Sequence, residues 1–363
     1  MPSLFDPIRL GAIEAPNRIL MAPLTRGRAT RAHVPTPIMA EYYAQRAGAG
    51  LIISEATGIS QEGLGWPYAP GLWSDEQVEA WKPVVKAAHA AGGRIVAQLW
   101  HMGRIVHPDF LGDEQPVSAS ATTAPDAAHT YEGKKPYAEA RPLRLDEIPR
   151  LLADYENATR NALKAGFDGV QIHAANGYLI DQFLRDGSNF RDDAYGGSVE
   201  NRIRLLTEVT QAVAGVAGTD RTGVRLSPNG AIQGVDDSNP EALFGAAAAA
   251  LGQIGIAFLE LREPGPNGTF GTANRPPVAP TIKRAFGGPL VLNSDYDGRA
   301  AQAALDAGVA DAVAFGRTFL ANPDLPRRIA EDAPLNKDVA KTWYSQGPEG
   351  YIDYPTLSDA KAA

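Results

Sequence analysis

The chain predicts a single (β/α)8 barrel, an α/β fold in which eight parallel strands close into a cylinder inside a ring of helices. Short β-branched or aliphatic runs, bounded by Gly, Pro or polar turns, recur along the whole chain and alternate with helix-like stretches. The runs are mostly apolar without strict alternation, as expected of strands covered on both faces. Eight such units within roughly 320 residues suit a closed barrel. A doubly wound sheet is the other arrangement that such alternation permits, but no G-x-G-x-x-G follows the first run.

The first strand is read in "RILMAP" from Arg18 and the second in "LIISEA" from Leu51. "DEQVEAWKPVVKAAHAAGG" then reads as a helix and leads to strand three, "RIVAQLW" from Arg94. The stretch from His107 to Pro142 is rich in Pro, Ser and Thr and too long for an ordinary connection, so it is expected to form a lid-like excursion over the barrel mouth. "DEIPRLLADYENATRNALKAGF" reads as the helix before strand four, "GVQIHA" from Gly169. "SVENRIRLLTEVTQAVAGV" precedes strand five, "TGVRLS" from Thr222, and "NPEALFGAAAAALGQIG" precedes strand six, "AFLELRE" from Ala257. Strand seven is "PLVLNS" from Pro289; "DGRAAQAALDAGV" reads as the helix before strand eight, "AVAFGR" from Ala312. Several helices open on Asp, Ser or Asn and close on Gly, the residues that satisfy free N–H groups at one end and accept a left-handed turn at the other. All 363 residues are assigned to one domain.

Bulk properties narrow the function. A net charge of −8 and a pI near 5.4 argue against nucleic acid, whose phosphates call for a basic footprint. No window approaches the apolar length of a membrane span, and "MPSLFDPIRL" lacks the shape of a signal peptide, so a cytoplasmic protein is expected. With no cysteine there is no disulfide, thiolate nucleophile or zinc–sulfur site. A monomer or a homodimer is equally compatible with the sequence.

In a barrel of this kind the chemistry sits at the carboxyl ends of the strands. Strand one presents Pro23, Leu24, Thr25 and Arg26 there; strand two presents Glu55, Ala56 and Thr57; strand three presents Gln98, Trp100 and His101. Strand four ends in His173, followed by Asn176 and Tyr178, and strand five in Arg225. Strand six gives Arg262 and Glu263, seven gives Asn293 and Ser294, and eight gives Gly316 and Arg317. No lysine stands at a strand end, which removes Schiff-base chemistry, and no His–carboxylate cluster suggests a metal. Glu55 and Glu263 are the one possible glycosidase pair, although strand four offers His and Asn where an acid is expected first.

What remains is a set of donors. Arg225 lies inside an apolar strand, where a cation left without its partner costs about 3–5 kcal/mol, so it must have an acceptor. Gln98 offers both a donor and an acceptor. Gly316 and Arg317, with Asn293 and Ser294, stand where barrels often hold a phosphate. A flat heterocycle with imide edges and a phosphorylated tail satisfies all of them, and flavin mononucleotide (FMN) fits that description.

The segments "NRILMAPLTR", "AQLWHMGR", "FDGVQIHAANGYLIDQFLRDGSN", "DDAYGGSVENRIRLL", "VRLSP" and "AFGRTFLANPDL" together resemble the old yellow enzyme family of FMN-dependent ene-reductases, in order and over nearly the whole chain. Within it, the resemblance is to the N-ethylmaleimide reductase and nicotinamide-dependent cyclohexenone reductase group. The resemblance implies a TIM barrel with non-covalent FMN, re-reduced by NAD(P)H. It implies that Pro23, Leu24 and Thr25 face the central flavin ring, with the Thr25 hydroxyl tuning its potential. Ala56 and Gln98 would meet the pyrimidine edge, with Arg225 near N1 and O2, and Asn293, Ser294, Gly316 and Arg317 would enclose the phosphate. The stretch "SASATTAPDAAHTYEGKK" matches weakly, and Gly187 stands where a small hydroxyl residue is usual.

Read in that light, His173 and Asn176 are two donors aimed at the carbonyl oxygen of an activated alkene, and Tyr178 is the acid that protonates the α-carbon. Expected substrates are α,β-unsaturated ketones and aldehydes, maleimides and nitroalkenes; a nitro or quinone acceptor on the same scaffold is the alternative. Tyr68, Trp100 and Tyr351 are expected to form an aromatic wall above the flavin.

Overall fold

The computed structural model describes residues 1–363 except Ala231, Pro266, Phe270, Asn274 and residues 361–363. Eight strands form a closed parallel barrel. They are β1 (Ile19–Met21), β2 (Ile52–Gly58), β3 (Ile95–Trp100), β4 (Gly169–His173), β5 (Thr222–Leu226), β6 (Phe258–Arg262), β7 (Leu290–Asn293) and β8 (Ala312–Phe315). Each strand pairs in parallel with its neighbours in chain order, and β8 closes on β1. Every residue of these strands is buried, which explains their mostly apolar character without strict alternation.

The principal outer helices are α1 (Pro37–Gln45), α2 (Asp75–Ala90), α3 (Ile148–Ala165), α4 (Arg204–Ala217), α5 (Pro240–Ile254), α6 (Ala279–Phe286), α7 (Gly298–Asp306) and α8 (Leu325–Ala330). Their ends follow capping chemistry. Ser74 accepts the N–H of Gln77 at the start of α2, Asn239 accepts that of Ala242 at α5, and Asp297 accepts that of Ala300 at α7. Gly166, Gly255 and Gly287 close α3, α5 and α6 in the left-handed region. Helices α1 and α6, which lead into β2 and β7, are not among those read from the sequence.

Two apolar regions build the body of the barrel, and a third, with Leu64, Trp100 and Ile105, lies at its mouth. The larger lies between the strands and the helices and includes Met39, Trp81, Leu151, Val209, Phe244 and Ile282. The smaller fills the amino-terminal end of the cylinder with Leu20, Leu51, Ile53, Val96, Phe258 and Val291. Leu10 and Ile13 join it from an antiparallel hairpin, Ile8–Leu10 with Ile13–Ala15, that plugs this end. The plug fits closely: a Cβ at Gly11 would lie 2.1 Å from the carbonyl oxygen of Asp220. Closed below, the barrel is open for chemistry only at the carboxyl end of its strands.

After β3 the excursion from 107 to 142 forms a hairpin, Ala127–Thr130 with Gly133–Pro136, and a short parallel pair, Val117–Ser118 with Arg141–Pro142. Pro125, Asp126, Ala127, His129, Lys134 and Tyr137 from it line the cavity at the barrel mouth.

Candidate active site

That cavity has a volume of about 750 Å³. It brings together Pro23, Leu24 and Thr25 beyond β1, Ala56 on β2, and Gln98 and Trp100 on β3. His173, Asn176 and Tyr178 follow from the β4 end, Arg225 from β5, Asn293 and Ser294 from β7, and Gly316 and Arg317 from β8.

The turn after β4 orients its three polar side chains. The backbone N–H of Ala175 points to Nδ1 of His173 at 3.3 Å, which makes Nδ1 the acceptor and leaves the proton on Nε2. Burial, then the nearby charges of Arg225 and Arg262, hold the imidazole well below its ordinary pKa, so it is neutral. Asn176 adopts a left-handed conformation (φ 57°), which Asn tolerates better than most residues. Its backbone N–H donates to Ser227 Oγ (2.7 Å), and its Oδ1 accepts from Arg262 Nη1 (3.3 Å). With Oδ1 engaged, the amide presents its NH2 as the donor for a ligand. Tyr178 stands at the start of the short helix Leu179–Leu184, its ring edge-on to His173 (4.9 Å) and to Trp100 (4.9 Å). Burial raises its hydroxyl above the ordinary tyrosine value, so it remains an O–H donor.

Below this turn the barrel carries a polar belt. Gln98 Nε2 donates to Gln171 Oε1 (2.7 Å), and Gln171 Nε2 donates to Glu260 Oε2 (2.7 Å). Arg225 Nε donates to Glu260 Oε1 (3.1 Å), and its Nη2 donates to Asn293 Oδ1 (3.0 Å). Glu260 is therefore the acceptor that Arg225 requires. Neither Glu260 nor Gln171 figures among the residues singled out from the sequence. The signal was present in "AFLELRE", where an acidic residue interrupts an apolar strand as Arg225 does on the strand beside it.

At the opposite rim, Arg317 Nη2 donates to Asp295 Oδ1 (2.9 Å), and its guanidinium lies 5.7 Å from the Trp343 ring. Ser294 (φ 132°) and Asp295 (φ 52°) hold unusual backbone conformations for residues with side chains. Such strain concentrates where a loop is shaped for a ligand. The donor set as a whole fits FMN: amide and guanidinium groups on the barrel floor suit an imide edge, and the β7–β8 rim carries a cation and a glycine for a phosphate. No cluster of His, Cys, Asp or Glu suited to a metal occurs among the described residues.

Two members of the expected aromatic wall lie elsewhere. Tyr68 does not line the cavity; its left-handed backbone (φ 58°) carries the ring to an edge-on contact with Tyr131 at 5.1 Å. Tyr351 is fully buried, stacked on Tyr42 at 4.1 Å and faced by the guanidiniums of Arg26 (5.1 Å) and Arg28 (4.6 Å). Other aromatics stand at the mouth instead. Trp66, with Trp343 and Tyr344, lines the mouth, and Trp66 packs against His129 at 4.8 Å and Tyr344 at 5.0 Å. Trp100 lines the cavity.

The glutamates of the glycosidase alternative are both committed to structure and absent from the cavity lining. Glu263 accepts from Asn229 Nδ2 (2.6 Å) and from the N–H groups of Val278 (2.8 Å) and Ala279 (3.2 Å) at the start of α6. Glu55 accepts from the backbone N–H groups of Arg26 (3.2 Å) and Gly27 (3.3 Å) behind the β1 loop.

Residues 3–336 match the model of the NADH:flavin oxidoreductase / NADH oxidase family. Among solved structures, the old yellow enzyme homologue from Zymomonas mobilis is 68% identical, with a TM-score of 0.97 over 98% of this chain and 100% of that one. Morphinone reductase in complex with tetrahydroNAD is 44% identical, with a TM-score of 0.93 over 99% of each chain. Among curated sequences, the putative 12-oxophytodienoate reductase 3 of Oryza sativa subsp. japonica is 44% identical over 99% of this chain and 94% of its own length. With a barrel, a donor set and relatives that agree from end to end, the chain belongs to the NADH:flavin oxidoreductase / NADH oxidase family, as an old yellow enzyme-type oxidoreductase that uses FMN and a nicotinamide reductant.

Proposed function

We propose that the chain reduces the C=C bond of alkenes conjugated to a carbonyl or nitro group, with His173, Asn176 and Tyr178 as the residues that meet the substrate. What carries the reading is the convergence of these three on one cavity with Gln98, Arg225 and Arg317. Bound FMN supplies a hydride acceptor and donor that links the nicotinamide to the alkene β-carbon.

The side chains supply the rest. Nε2–H of His173 and the NH2 of Asn176 hold the substrate oxygen and stabilise the negative charge that grows there as the β-carbon is reduced. Their orientation before substrate arrives avoids reorganisation during the reaction, and a single donor of this kind contributes about 2.7–4 kcal/mol. Tyr178 then gives its hydroxyl proton to the α-carbon; an acid weaker than ordinary tyrosine keeps that proton at rest and yields it only to a strongly basic carbon. Trp66, Trp100 and Tyr344 shape the apolar space around the alkene. Gln98 and Arg225 hold the pyrimidine edge, Pro23, Leu24, Thr25 and Ala56 flank the ring, and Asn293, Ser294, Gly316 and Arg317 hold the phosphate, which shares Arg317 with Asp295.

The test is NAD(P)H oxidation dependent on cyclohexenone. The wild-type protein is expected to turn over, and the His173→Ala/Asn176→Ala variant to lose at least ~10²-fold in kcat/KM while retaining FMN. An enone-reduction rate unchanged in a variant that still carries FMN would remove the pair from this role.

A further inference from the structure

We propose that Glu260, a buried carboxylate that does not line the cavity, is a positioning residue that sets both the polarity of the flavin-edge side chains and the reduction potential of the bound flavin. The inference rests on the placement of Gln98 and Arg225 at the pyrimidine edge proposed above.

The barrel floor forms one hydrogen-bonded chain across five adjacent strands. Gln98 and Gln171 face each other in register on β3 and β4, as do Arg225 and Glu260 on β5 and β6. All four side chains are buried, together with Asn293 on β7. Among the five side chains of this network, Arg225 only donates, and the Glu260 carboxylate alone accepts and cannot donate. Because its two oxygens take Gln171 Nε2 and Arg225 Nε, Gln171 must turn its carbonyl to Gln98. Gln98 in turn spends an amide N–H on Gln171, which leaves its own carbonyl as an acceptor for an imide N–H. On the other side, Asn293 turns Oδ1 to Arg225 and donates Nδ2 to the carbonyl of Ala314 (2.8 Å). A glutamine at position 260 can donate as well as accept, so it would not enforce this order.

The charge has a second effect. Reduction adds electron density to the pyrimidine edge, and a cation beside that edge favours the reduced form. Arg225 is that cation, and Glu260 offsets it from within hydrogen-bond distance in a site from which water is largely excluded. Gln171 moderates the offset by taking part of the carboxylate's hydrogen-bonding capacity.

Two substitutions should therefore move the potential in opposite directions. Glu260→Gln removes the offsetting charge and is expected to raise the potential, with a tenfold change in the reduction equilibrium corresponding to ~30 mV for two electrons. Gln171→Met removes the competing donor from Glu260 and is expected to lower it; it also frees Gln98 and should weaken FMN retention. Potentials are measured by equilibration with a reference dye, and FMN affinity by reconstitution of the apoprotein. Potentials that stay at the wild-type value in both variants with FMN bound would reduce the chain to a structural role and overturn the proposal, as would shifts of the same sign. If Glu260→Gln does not fold, Gln171→Met decides alone: no fall in potential overturns it. A wild-type protein that takes up no FMN, and so shows no visible absorption, would instead sink the placement on which the proposal rests.

Discussion

Glu55 and Ala56 are adjacent on β2, yet Ala56 lines the cavity and Glu55 is buried behind it. A register shift between Ile53 and Ala56 against β3 accompanies that change of face. Burial raises the Glu55 carboxyl to about 7, against the pull of the Arg26 and Gly27 N–H groups and of the Arg26 and Arg28 charges. The unfolded chain ionises this group at about 4.3. Since the folded value is the higher one, the stabilising contribution is complete below the unfolded value and is lost as pH rises through about 7. Glu55→Gln removes the dependence. Its thermal midpoint should gain on that of the wild type between pH 5 and pH 8, by the equivalent of a few kcal/mol, ~3 at most. A difference between the two proteins that stays constant over this range would mean that Glu55 ionises as it does in water. The same scale explains why Tyr68 and Tyr351 misled. Each has other aromatics nearby in sequence, and which ring reaches the cavity depends on a left-handed residue in one case and on two buried arginines in the other. Neither is visible in a list of residue types.

At the scale of the element, all eight barrel strands were legible because a strand covered on both faces leaves an apolar run with polar ends. Helix α1 was not, because its nine residues carry only a weak amphipathic stripe and Arg46, not glycine, follows them, and α6 was not, because eight residues with prolines around its start do not read as helix. The plug hairpin has three-residue strands, too short for any periodic signal. The turn after β4 was legible in the polar residues it presents to the cavity but not in their support. Asp181 accepts the N–H of Gly177 (2.9 Å) and pairs with Arg185 (2.7 Å), both side chains being fully buried. Arg185 also donates to the carbonyls of Ser227 and Pro228, beside the hydroxyl that receives the Asn176 N–H. Asp181→Ala leaves that guanidinium buried without its carboxylate, and the expected loss of unfolding free energy is about 3–5 kcal/mol. Urea denaturation checks it: a lowered midpoint at constant slope agrees, and a midpoint within error of the wild type contradicts. The loop at Gly187 carries a physical reason for its glycine, since a Cβ there would lie 2.7 Å from the backbone oxygen of Asp236.

Across the whole molecule the two ends of the barrel divide the work. The amino-terminal end is closed by apolar side chains and a hairpin, and the floor above it is a polar belt ordered around one carboxylate. The carboxyl end opens into a cavity bounded by strand ends, the excursion after β3 and the segment carrying Trp343 and Tyr344. The strand-end reading located this cavity because interior position and chain order are both set by the barrel. It passed over Glu260 and Gln171, which lie in register with Arg225 and Gln98, because on their strands it stopped at the later polar residues Arg262 and His173. Among the described residues no helix is long and apolar enough to cross a membrane. The central claim is that His173 and Asn176 act together as an anion-stabilising pair above bound flavin. Its most direct test is the visible spectrum of the oxidised protein during titration with a simple phenol. The account predicts a long-wavelength charge-transfer band in the wild type, from phenolate held over the flavin, and its loss in His173→Ala/Asn176→Ala with the flavin absorption retained. A flavin spectrum that develops no such band in the wild type, or a band that survives both substitutions, would contradict it.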